Sequence, residues 1–219
     1  MIYIVYRQNH SYENLSKAIF RGVGEYDIPK IMPTSEKDVN LENYIGFNYA
    51  KTCKDPESCG VHFFLDDYQF NRLWNQPDRY LELLKKFKFV CSPDFSTYTD
   101  FPKAIQIYNH YRKHWLGAYW QQNDITVIPT ISWSDTSSFE WCFEGEPIGG
   151  VVAVSSVGTQ MNSASKKLFA AGYNEMIDRL HPECILFYGA VPEECSGNII
   201  KLTTFAERFK NNDIGKKGD

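Results

Sequence analysis

Two short apolar runs in this sequence end in aspartates, and these aspartates are its best candidates for chemistry. Residues 61–65 lead directly into Asp66 and Asp67, and residues 89–91 are followed closely by Asp94. A carboxylate does not enter an apolar core without a partner, so each should lie where a buried strand ends. Two carboxylates in different surroundings can serve as a general acid and as a nucleophile or base. We therefore predict Asp66, Asp67 and Asp94 as catalytic residues.

Further polar and aromatic residues follow the other apolar runs. Because ligands bind at the carboxyl ends of the strands in parallel α/β folds, we expect these residues to share one site. Carboxylates beside aromatic rings suit acid/base or glycosidic-bond chemistry, and their oxygens also suit Mg²⁺ or Mn²⁺, although no metal is assigned. The predicted ligand-binding residues are Ser92, Ser96, Trp133, Asp135, Ser155, Ser156, Gly158, Tyr188, Gly189 and Arg112.

Several of these residues also have a purely structural interpretation. Asp67 and Asp135 could each cap a following helix, and Asp94 could form an Asx-turn with its own backbone. The segment 155–159 could bind a phosphate through loop amides, but it matches no recognised phosphate-binding loop. Arg112 could bind a phosphate or carboxylate, or form only a surface ion pair.

Histidines and cysteines give weaker signals. His62 lies within a predicted strand and is expected to be a core residue. His110 and His114 have the i,i+4 spacing of metal ligands, but the HExxH motif is absent, which favours a solvated helix face. Cys53 and Cys59 flank a polar loop without two further ligands at familiar spacing, and all six cysteines are predicted to be thiols.

The elements that must position these residues alternate between strand and helix. Such alternation favours a parallel sheet. A full eight-stranded barrel takes about 250 residues, so we predict a small or partial TIM-barrel-like repeat of βα units, with an open doubly wound sheet as the alternative. Strands are predicted at 61–65, 89–91, 125–131, 150–155, 184–188 and 198–202, and helices at 68–87 with a break at Pro77, at 102–122 and at 165–180.

The domain organisation is predicted from the same pattern. Residues 1–40 form an N-terminal arm or extended segment that packs on the domain, and residues 41–210 form a single α/β domain. Residues 211–219 are polar and are predicted to be a flexible tail.

Composition, charge and absent motifs argue against several classes of protein. The net charge of −4, with acids and bases mixed along 219 residues, argues against a broad phosphate-binding surface. No stretch approaches the roughly 18 apolar residues of a membrane span, and the N-terminus does not resemble a signal peptide, so we expect a cytoplasmic protein and no membrane. The GxSxG, GxGxxG and GxxxxGKS motifs are absent, which argues against α/β-hydrolases, dinucleotide enzymes and P-loop NTPases.

Several motifs between residues 41 and 192 resemble the domain-of-unknown-function 4417 family of uncharacterised phage, plasmid and bacterial proteins. The family has no settled activity, so the resemblance assigns no catalytic residue. It implies a mobile-element setting, with nucleic-acid metabolism or host defence as background. The motifs are His62-Phe-Phe-Leu-Asp-Asp-Tyr-Gln-Phe70, Trp74-Asn-Gln-Pro77, Ser92-Pro-Asp-Phe-Ser96 with Tyr98, Gln106-Ile-Tyr-Asn109, Tyr111-Arg112, Ile128-Pro129, Ser132-Trp133, Phe143-Glu-Gly145 and Tyr188-Gly189.

Three functions remain open from the sequence. The first is an enzyme that uses the clustered aspartates on a nucleotide, nucleoside or nucleic-acid substrate, at a glycosidic or phosphate-ester bond. The second is a non-catalytic phage accessory protein that binds a host or defence component, or a nucleotide signal. The third is a replication-associated DNA-binding protein, which the acidic balance disfavours.

Overall fold

The N-terminal part of the described chain consists of short antiparallel ribbons. The computed structural model describes residues 5–6, 17–39 and 43–204. Strand β1 (Val5–Tyr6) pairs with β2 (Ile19–Phe20), and β3 (Gly22–Val23) pairs with β4 (Ile28–Pro29). The predicted tail, 211–219, lies outside the described residues.

A four-stranded parallel sheet follows. Its strands are β5 (Asn43–Gly46), β6 (Cys59–His62), β7 (Phe89–Cys91) and β8 (Val127–Ile128), in that spatial order. The valines and isoleucine at the centres of β6, β7 and β8 have no exposed surface, as expected for β-branched side chains in a sheet covered on both faces.

A three-stranded parallel sheet contains the remaining strands of the described residues. Strand β10 (Cys184–Tyr188) lies between β9 (Val151–Ser155) and β11 (Ile199–Leu202), and all five of its residues are buried. Tyr188 is in register with Ser155, so the ends of β9 and β10 lie level with each other.

The two sheets are joined by an isolated parallel bridge between Thr130 and Ala153. The Ile131 amide donates to the Ala153 carbonyl at 2.8 Å, and the Ala153 amide donates to the Pro129 carbonyl at 2.8 Å. The chain after β8 therefore runs beside β9, and the carboxyl ends of both sheets face the same side.

A side chain links the two outer strands, β5 and β11. The Tyr44 hydroxyl accepts a hydrogen bond from the Thr203 amide at 2.7 Å and lies 3.4 Å from the Lys201 carbonyl oxygen. Among the described residues, these two strands are not a backbone pair, so closure of a barrel is not shown.

Within the described residues, four α-helices and several 3₁₀ helices connect the strands. Helices α3 and α4 are long, whereas α1 and α2 are single turns separated by a 3₁₀ helix. The α-helices are α1 (Arg72–Asn75), α2 (Leu81–Leu84), α3 (Lys103–Gln122) and α4 (Ser163–Leu180). The 3₁₀ helices are Glu36–Asp38, Phe47–Thr52, Pro56–Ser58, Asp67–Gln69, Pro77–Tyr80 and Thr136–Glu140.

The core is divided between α3 and α4. Trp115 and Trp120 of α3 are buried in the cluster that covers the four-stranded sheet. Phe169, Tyr173 and Met176 of α4 are buried against β9 and β10. None of the described helices is both long enough and apolar enough to cross a lipid bilayer.

Residues of the predicted N-terminal arm contact α3. The Trp115 indole donates to the Ala18 carbonyl at 2.7 Å, and the Gln121 side chain bonds both the amide and the carbonyl of Met32 at 2.8 Å. These contacts agree with an extended segment packed on the domain, while the domain boundaries stay a prediction.

Mixed α/β architecture with parallel strands is confirmed, and several element bounds are corrected. The predicted helix 68–87 is divided into short α and 3₁₀ turns, with Pro77 at a helix start because proline lacks the amide needed further inside. The predicted strand 61–65 ends at His62, since the Leu65 amide turns back to the Phe63 carbonyl at 2.7 Å. Strand β5 was not predicted.

Candidate active site

A cavity of about 700 Å³ lies at the carboxyl ends of the parallel strands. Segments that follow β5 to β11 contribute to its wall, so residues distant in sequence meet there. Of the predicted site residues, seven line the cavity: Asp66, Asp94, Ser96, Trp133, Ser155, Gly158 and Tyr188. The other six are not among the described residues of its lining: Asp67, Ser92, Asp135, Ser156, Gly189 and Arg112.

Asp94 is the carboxyl group with the most unusual environment in this cavity. Its side chain is partly buried and accepts a hydrogen bond from Ser132. Burial raises the pKa of Asp94 to about 7, while the Lys113 ammonium opposes that shift and Asp67 adds to it. Because the group is half protonated near neutral pH, it can donate or accept a proton there.

Asp66 and Asp67 are neighbours with different roles. Asp66 is exposed and lines the cavity. Asp67 accepts hydrogen bonds from the Ser96 amide, at 3.2 Å, and from the Ser96 hydroxyl, at 2.8 Å. Neither side chain caps the 3₁₀ helix that begins at Asp67, so the capping interpretation does not apply. Asp67 instead fixes the loop after β7, which presents Asp94 to the cavity.

Arg112 supports the same loop from behind. Its guanidinium lies over the Phe95 ring, 3.8 Å from the ring centroid, and donates to Asn71 at 2.8 Å and to Asn109 at 3.0 Å. One of its nitrogens is 3.9 Å from Asp67. These contacts give Arg112 a structural role beneath the cavity and not a position on its wall.

Stacked rings form one wall of the cavity. Phe64 and Tyr188 stack with centroids 4.9 Å apart at 20°, and His62 stacks on Phe64 at 5.6 Å. Elsewhere in the lining, Trp133 packs against Phe169 with centroids 5.3 Å apart. A planar ligand can therefore gain ring-stacking contacts here.

The four remaining predicted residues have structural contacts. Ser92 is fully buried, where its hydroxyl oxygen accepts from the Thr130 amide at 2.8 Å. Asp135 caps the 3₁₀ helix that follows, by accepting from the Ser137 amide at 2.9 Å. The Ser156 hydroxyl donates to the Ala190 carbonyl at 2.6 Å, and a Cβ on Gly189 would lie 2.7 Å from that hydroxyl oxygen.

The loop after β9 borders the cavity without forming a recognised anion site. Ser155 and Gly158 line the cavity, and the Ser155 hydroxyl accepts from the Val157 amide at 3.2 Å. Gly158 adopts a φ of +80°, and a Cβ there would meet nothing within 4 Å. Its conformation, and not crowding, is what favours glycine at this position.

A buried cluster of charged and polar groups lies behind Asp94. The Lys113 ammonium donates to Glu146 at 2.7 Å and to the Thr130 carbonyl at 2.8 Å. His114 bonds the Pro29 carbonyl through Nδ1 at 2.9 Å, and its Nε2 lies 2.9 Å from the same Glu146 oxygen. Burial alone would raise the pKa of Glu146, but Lys113 and His114 keep it below its ordinary value.

The histidine pair is therefore not on a solvated helix face. His110 and His114 are 2% and 0% exposed, and their rings are 4.3 Å apart, which corrects the interpretation from spacing. The burial has a physical cause. Groups from the distant loop 144–146 supply hydrogen-bond partners that α3 itself does not: the Glu144 carbonyl for His110, and the Glu146 carboxylate for Lys113 and His114.

The donors of His110, His114 and Glu146 lie within 4.8 Å of one another, which among the described residues is the only such group of three. They fit a metal ion poorly. His110 Nε2 is 3.0 Å from the Glu144 carbonyl oxygen, both His114 nitrogens are engaged, and the Lys113 ammonium already places a positive charge on Glu146. A divalent cation would have to displace that ammonium.

Sequence reasoning missed several lining residues. Five of them, Phe64, Gln69, Tyr98, Ser132 and Ser134, lie one or two positions from a predicted residue, and this proximity to a strand exit was the available signal. His62 was expected only in the core, yet it is both buried and part of the lining. The missed residues include Asn48, Tyr49, His62, Phe64, Gln69, Tyr98, Ser132, Ser134, Ser165, Phe169 and Thr203.

Comparison with known proteins identifies related sequences. Residues 20–206 match the family described as "Domain of unknown function (DUF4417)". The chain is 39% identical to the Gene 1 protein of Mycobacterium phage L5 over 170 residues, which is 78% of this chain and 74% of that protein. It is 38% identical to the Gene 1 protein of Mycobacterium phage D29 over 172 residues, which is 78% of this chain and 63% of that protein. No solved structure matches the chain.

Proposed function

We propose that this chain, which belongs to the DUF4417 family of phage-related proteins of unknown function, is an enzyme that cleaves the glycosidic bond of a nucleoside or of an accessible nucleic-acid base. Asp94 would act as the general acid, and Asp66 as the second carboxylate. Asp67, which was a candidate from sequence, has its carboxylate engaged with Ser96 and is assigned a supporting role.

The make-up of the cavity wall is the observation that carries this proposal. The wall combines two carboxylates with stacked rings, and its described residues include neither lysine nor arginine. A phosphate in the cavity would face carboxylates without a side-chain cation to balance its charge. An uncharged sugar and base would instead find ring faces and many hydroxyl groups. This contrast favours a glycosidic bond over a phosphate ester.

The two carboxylates differ in a way that suits acid/base catalysis. The protonated Asp94 carboxyl would give its proton to the departing base as the bond between that base and the sugar C1′ breaks. Asp66, at the exposed side of the same cavity, would take a proton from a water molecule whose oxygen bonds to C1′. The products are a free base and a free sugar hydroxyl.

A base-release assay tests this function. The purified protein is incubated with purine and pyrimidine ribo- and deoxyribonucleosides and with single-stranded DNA and RNA, and released bases are measured by liquid chromatography and mass spectrometry. We expect release from at least one substrate, and a loss of about 100-fold or more in Asp94→Asn and Asp66→Asn, the usual effect of removing a general acid or base.

The matched control is Asp135→Asn. Asp135 is an exposed capping carboxylate outside the cavity lining, so its variant should keep the activity of the unchanged protein within a few-fold. Absence of base release from every substrate, or full activity in Asp94→Asn, would refute the proposal.

We further propose that the parallel strands form a partial barrel around this site. The Tyr44 hydroxyl contact with Thr203 and the ring contact between His62 and Tyr188, 4.9 Å between centroids, support it because each joins the four-stranded sheet to the three-stranded one. The cavity would then be the mouth of that barrel.

A second candidate function, a non-catalytic accessory protein that binds a host or defence component, is favoured by the rim of the cavity. Tyr98 and Val157 line the cavity and are each 61% exposed, and Met161, nearby in the chain, is 85% exposed. Exposed apolar groups around a mouth are common at docking surfaces.

Variants separate the two functions in a phage or plasmid assay of the expressed gene. For a binder, Val157→Ser and Met161→Ser together should abolish the effect, and Asp94→Asn should preserve it. For an enzyme, Asp94→Asn alone should abolish it. Loss of the effect only in Asp94→Asn excludes the binder.

A further inference from the structure

We propose that Lys113 is a positioning residue for Asp94, and that Glu146 sets how strongly the Lys113 charge acts on that carboxyl. The inference rests on the proposed role of Asp94 as the acid. It adds a buried ion pair outside the cavity lining to the residues on which the reaction depends.

The contacts form a continuous path from the buried pair to the cavity. Lys113 is 1% exposed, and its ammonium is shared between Glu146, at 2.7 Å, and the Thr130 carbonyl, at 2.8 Å. Two residues after Thr130, the Ser132 side chain hydrogen-bonds Asp94. The same chain segment therefore anchors the ammonium and the carboxyl.

The neighbouring strand keeps this segment in place. The Thr130 hydroxyl donates to the Ser92 carbonyl at 2.6 Å, and the Thr130 amide donates to the Ser92 hydroxyl oxygen at 2.8 Å. Ser92 precedes Asp94 by two residues, so the chains that follow β7 and β8 are joined immediately before they reach the cavity. Ser92 thus contributes to the site through position and not through ligand contact.

One oxygen of Glu146 has no hydrogen-bond partner among the described residues. Glu146 Oε1 meets both Lys113 and His114, whereas Oε2 is buried without a partner. If the pair served the core alone, a well-packed apolar pair could replace it, since a buried ion pair contributes little net stability. A buried lysine whose charge acts on the proposed acid has a further use, because it favours the ionised form that Asp94 reaches after giving up its proton.

The charged and titratable groups around the two residues come from several elements. Asp94 faces Lys113 of α3, Asp67 after β6 and Cys91 of β7. Lys113 faces Glu146, His110, His114 and Cys142 as well. Of these, Lys113 and Glu146 are the two whose charges can be removed while the lining of the cavity is left unchanged.

The test is the pH titration of the Asp94 carboxyl carbon by ¹³C NMR, with Asp94→Asn to assign its signal. Lys113→Met should raise the pKa of Asp94 by about one unit, since it removes a positive charge that acts on this carboxyl. Glu146→Gln should lower it, because the Lys113 charge is then less neutralised. Shifts of the Asp94 pKa in opposite directions in these two variants would come from the charges, since a loss of packing has no reason to give opposite signs.

Control variants keep the test decisive. Lys103→Met removes an exposed lysine whose ion pair with Glu140 spans 3.9 Å, and it should leave the titration unchanged. Lys113→Arg should restore the midpoint of the unchanged protein. If Lys113→Met does not fold, the double variant Lys113→Met with Glu146→Gln removes both charges, and a raised pKa of Asp94 is still expected.

An Asp94 midpoint that stays constant in Lys113→Met, or in the double variant, would overturn the inference. Shifts in the same direction from Lys113→Met and Glu146→Gln would overturn it too. This readout needs no substrate, so its result is independent of base release. The effect of Lys113 and Glu146 on the pKa of Asp94 can therefore be confirmed even if no base is released, and base release can be found even if that effect is absent.

Discussion

Asp94 and Asp67 follow neighbouring strands, yet their surroundings differ. Asp67 accepts the Ser96 amide and hydroxyl and thereby shapes a loop. Asp94 is left in a partly buried position where its pKa is raised to about 7, first by burial. Of these two carboxyls, the one with the raised pKa is therefore Asp94, which is why we propose it, and not Asp67, as the acid.

The raised pKa of Asp94 predicts how stability depends on pH. The unfolded chain releases this proton near pH 4 and the folded chain near pH 7, so between these values the folded state binds more protons. The free energy of unfolding should therefore fall as pH rises through this window, by at most about 4 kcal/mol from this group, at about 1.4 kcal/mol per pKa unit. Urea denaturation of the protein from pH 4 to pH 8 measures it.

The Asp94→Asn variant isolates this contribution. Asparagine does not titrate, so the free energy of unfolding should fall less between pH 4 and pH 7 in this variant. At pH 8 the variant should be more stable than the unchanged protein. Asp66→Asn serves as the comparison, because it removes an exposed carboxylate from the same cavity. Parallel profiles for Asp94→Asn and the unchanged protein would contradict the raised pKa.

At the level of single residues, the sequence supports the location of the site better than the role of each residue. An apolar run followed by aspartates predicts a strand exit, and Asp66 and Asp94 do line one cavity. Which aspartate would meet Ser96 depends on a contact 29 residues along the chain, and no local pattern encodes it.

Helix α3 shows why the bounds of a helix are easier to predict than which of its side chains are buried. The helix was predicted at 102–122 and is found at Lys103–Gln122. Along this helix the apolar Ile105 is 45% exposed, whereas the polar Lys113 and His114 are buried. Burial of these groups depends on Glu146, which the loop before β9 supplies. Helix α3 therefore buries polar as well as apolar side chains, which weakens the apolar periodicity of its sequence.

The loop that delivers Glu146 should depend strongly on Gly145. This residue has a φ of +78°, and a Cβ there would lie 2.6 Å from the Pro29 carbonyl oxygen and 2.8 Å from His114 Nδ1. Gly145→Ala should therefore lower the free energy of unfolding by about 3 kcal/mol, from backbone strain and from crowding together. Chemical denaturation measures the loss.

Gly149→Ala is the matched comparison. Gly149 has nearly the same φ, +76°, but a Cβ there would meet nothing within 4 Å. Its replacement should cost only the backbone strain, about 1 kcal/mol. Equal losses in the two variants would show that the close approach to Pro29 and His114 does not matter.

For the whole molecule, the alternation of strand and helix predicted that the strands are parallel. It did not predict every strand of the two sheets. Strands β7 and β10 were predicted at their observed bounds, and both are short and wholly buried. Strand β5 was missed, because Asn43 and Gly46 interrupt the apolar pattern that marks the other strands. The spatial relation of β5 to β11 depends on a tyrosine hydroxyl, which no periodicity in the sequence reveals.

Removal of that hydroxyl tests how far the outer strands depend on each other. Tyr44→Phe keeps the ring but loses the contacts with the Thr203 amide and the Lys201 carbonyl. It should cost about 1 kcal/mol and lower Tm by about 2–4 °C. Hydrogen exchange at the Thr203 amide should accelerate as well, because its acceptor is gone. Tyr68→Phe, at a tyrosine that is 77% exposed, should change neither quantity. Unaltered exchange at Thr203 in Tyr44→Phe would mean that β5 does not restrain the chain after β11, and the partial barrel would lose its main support.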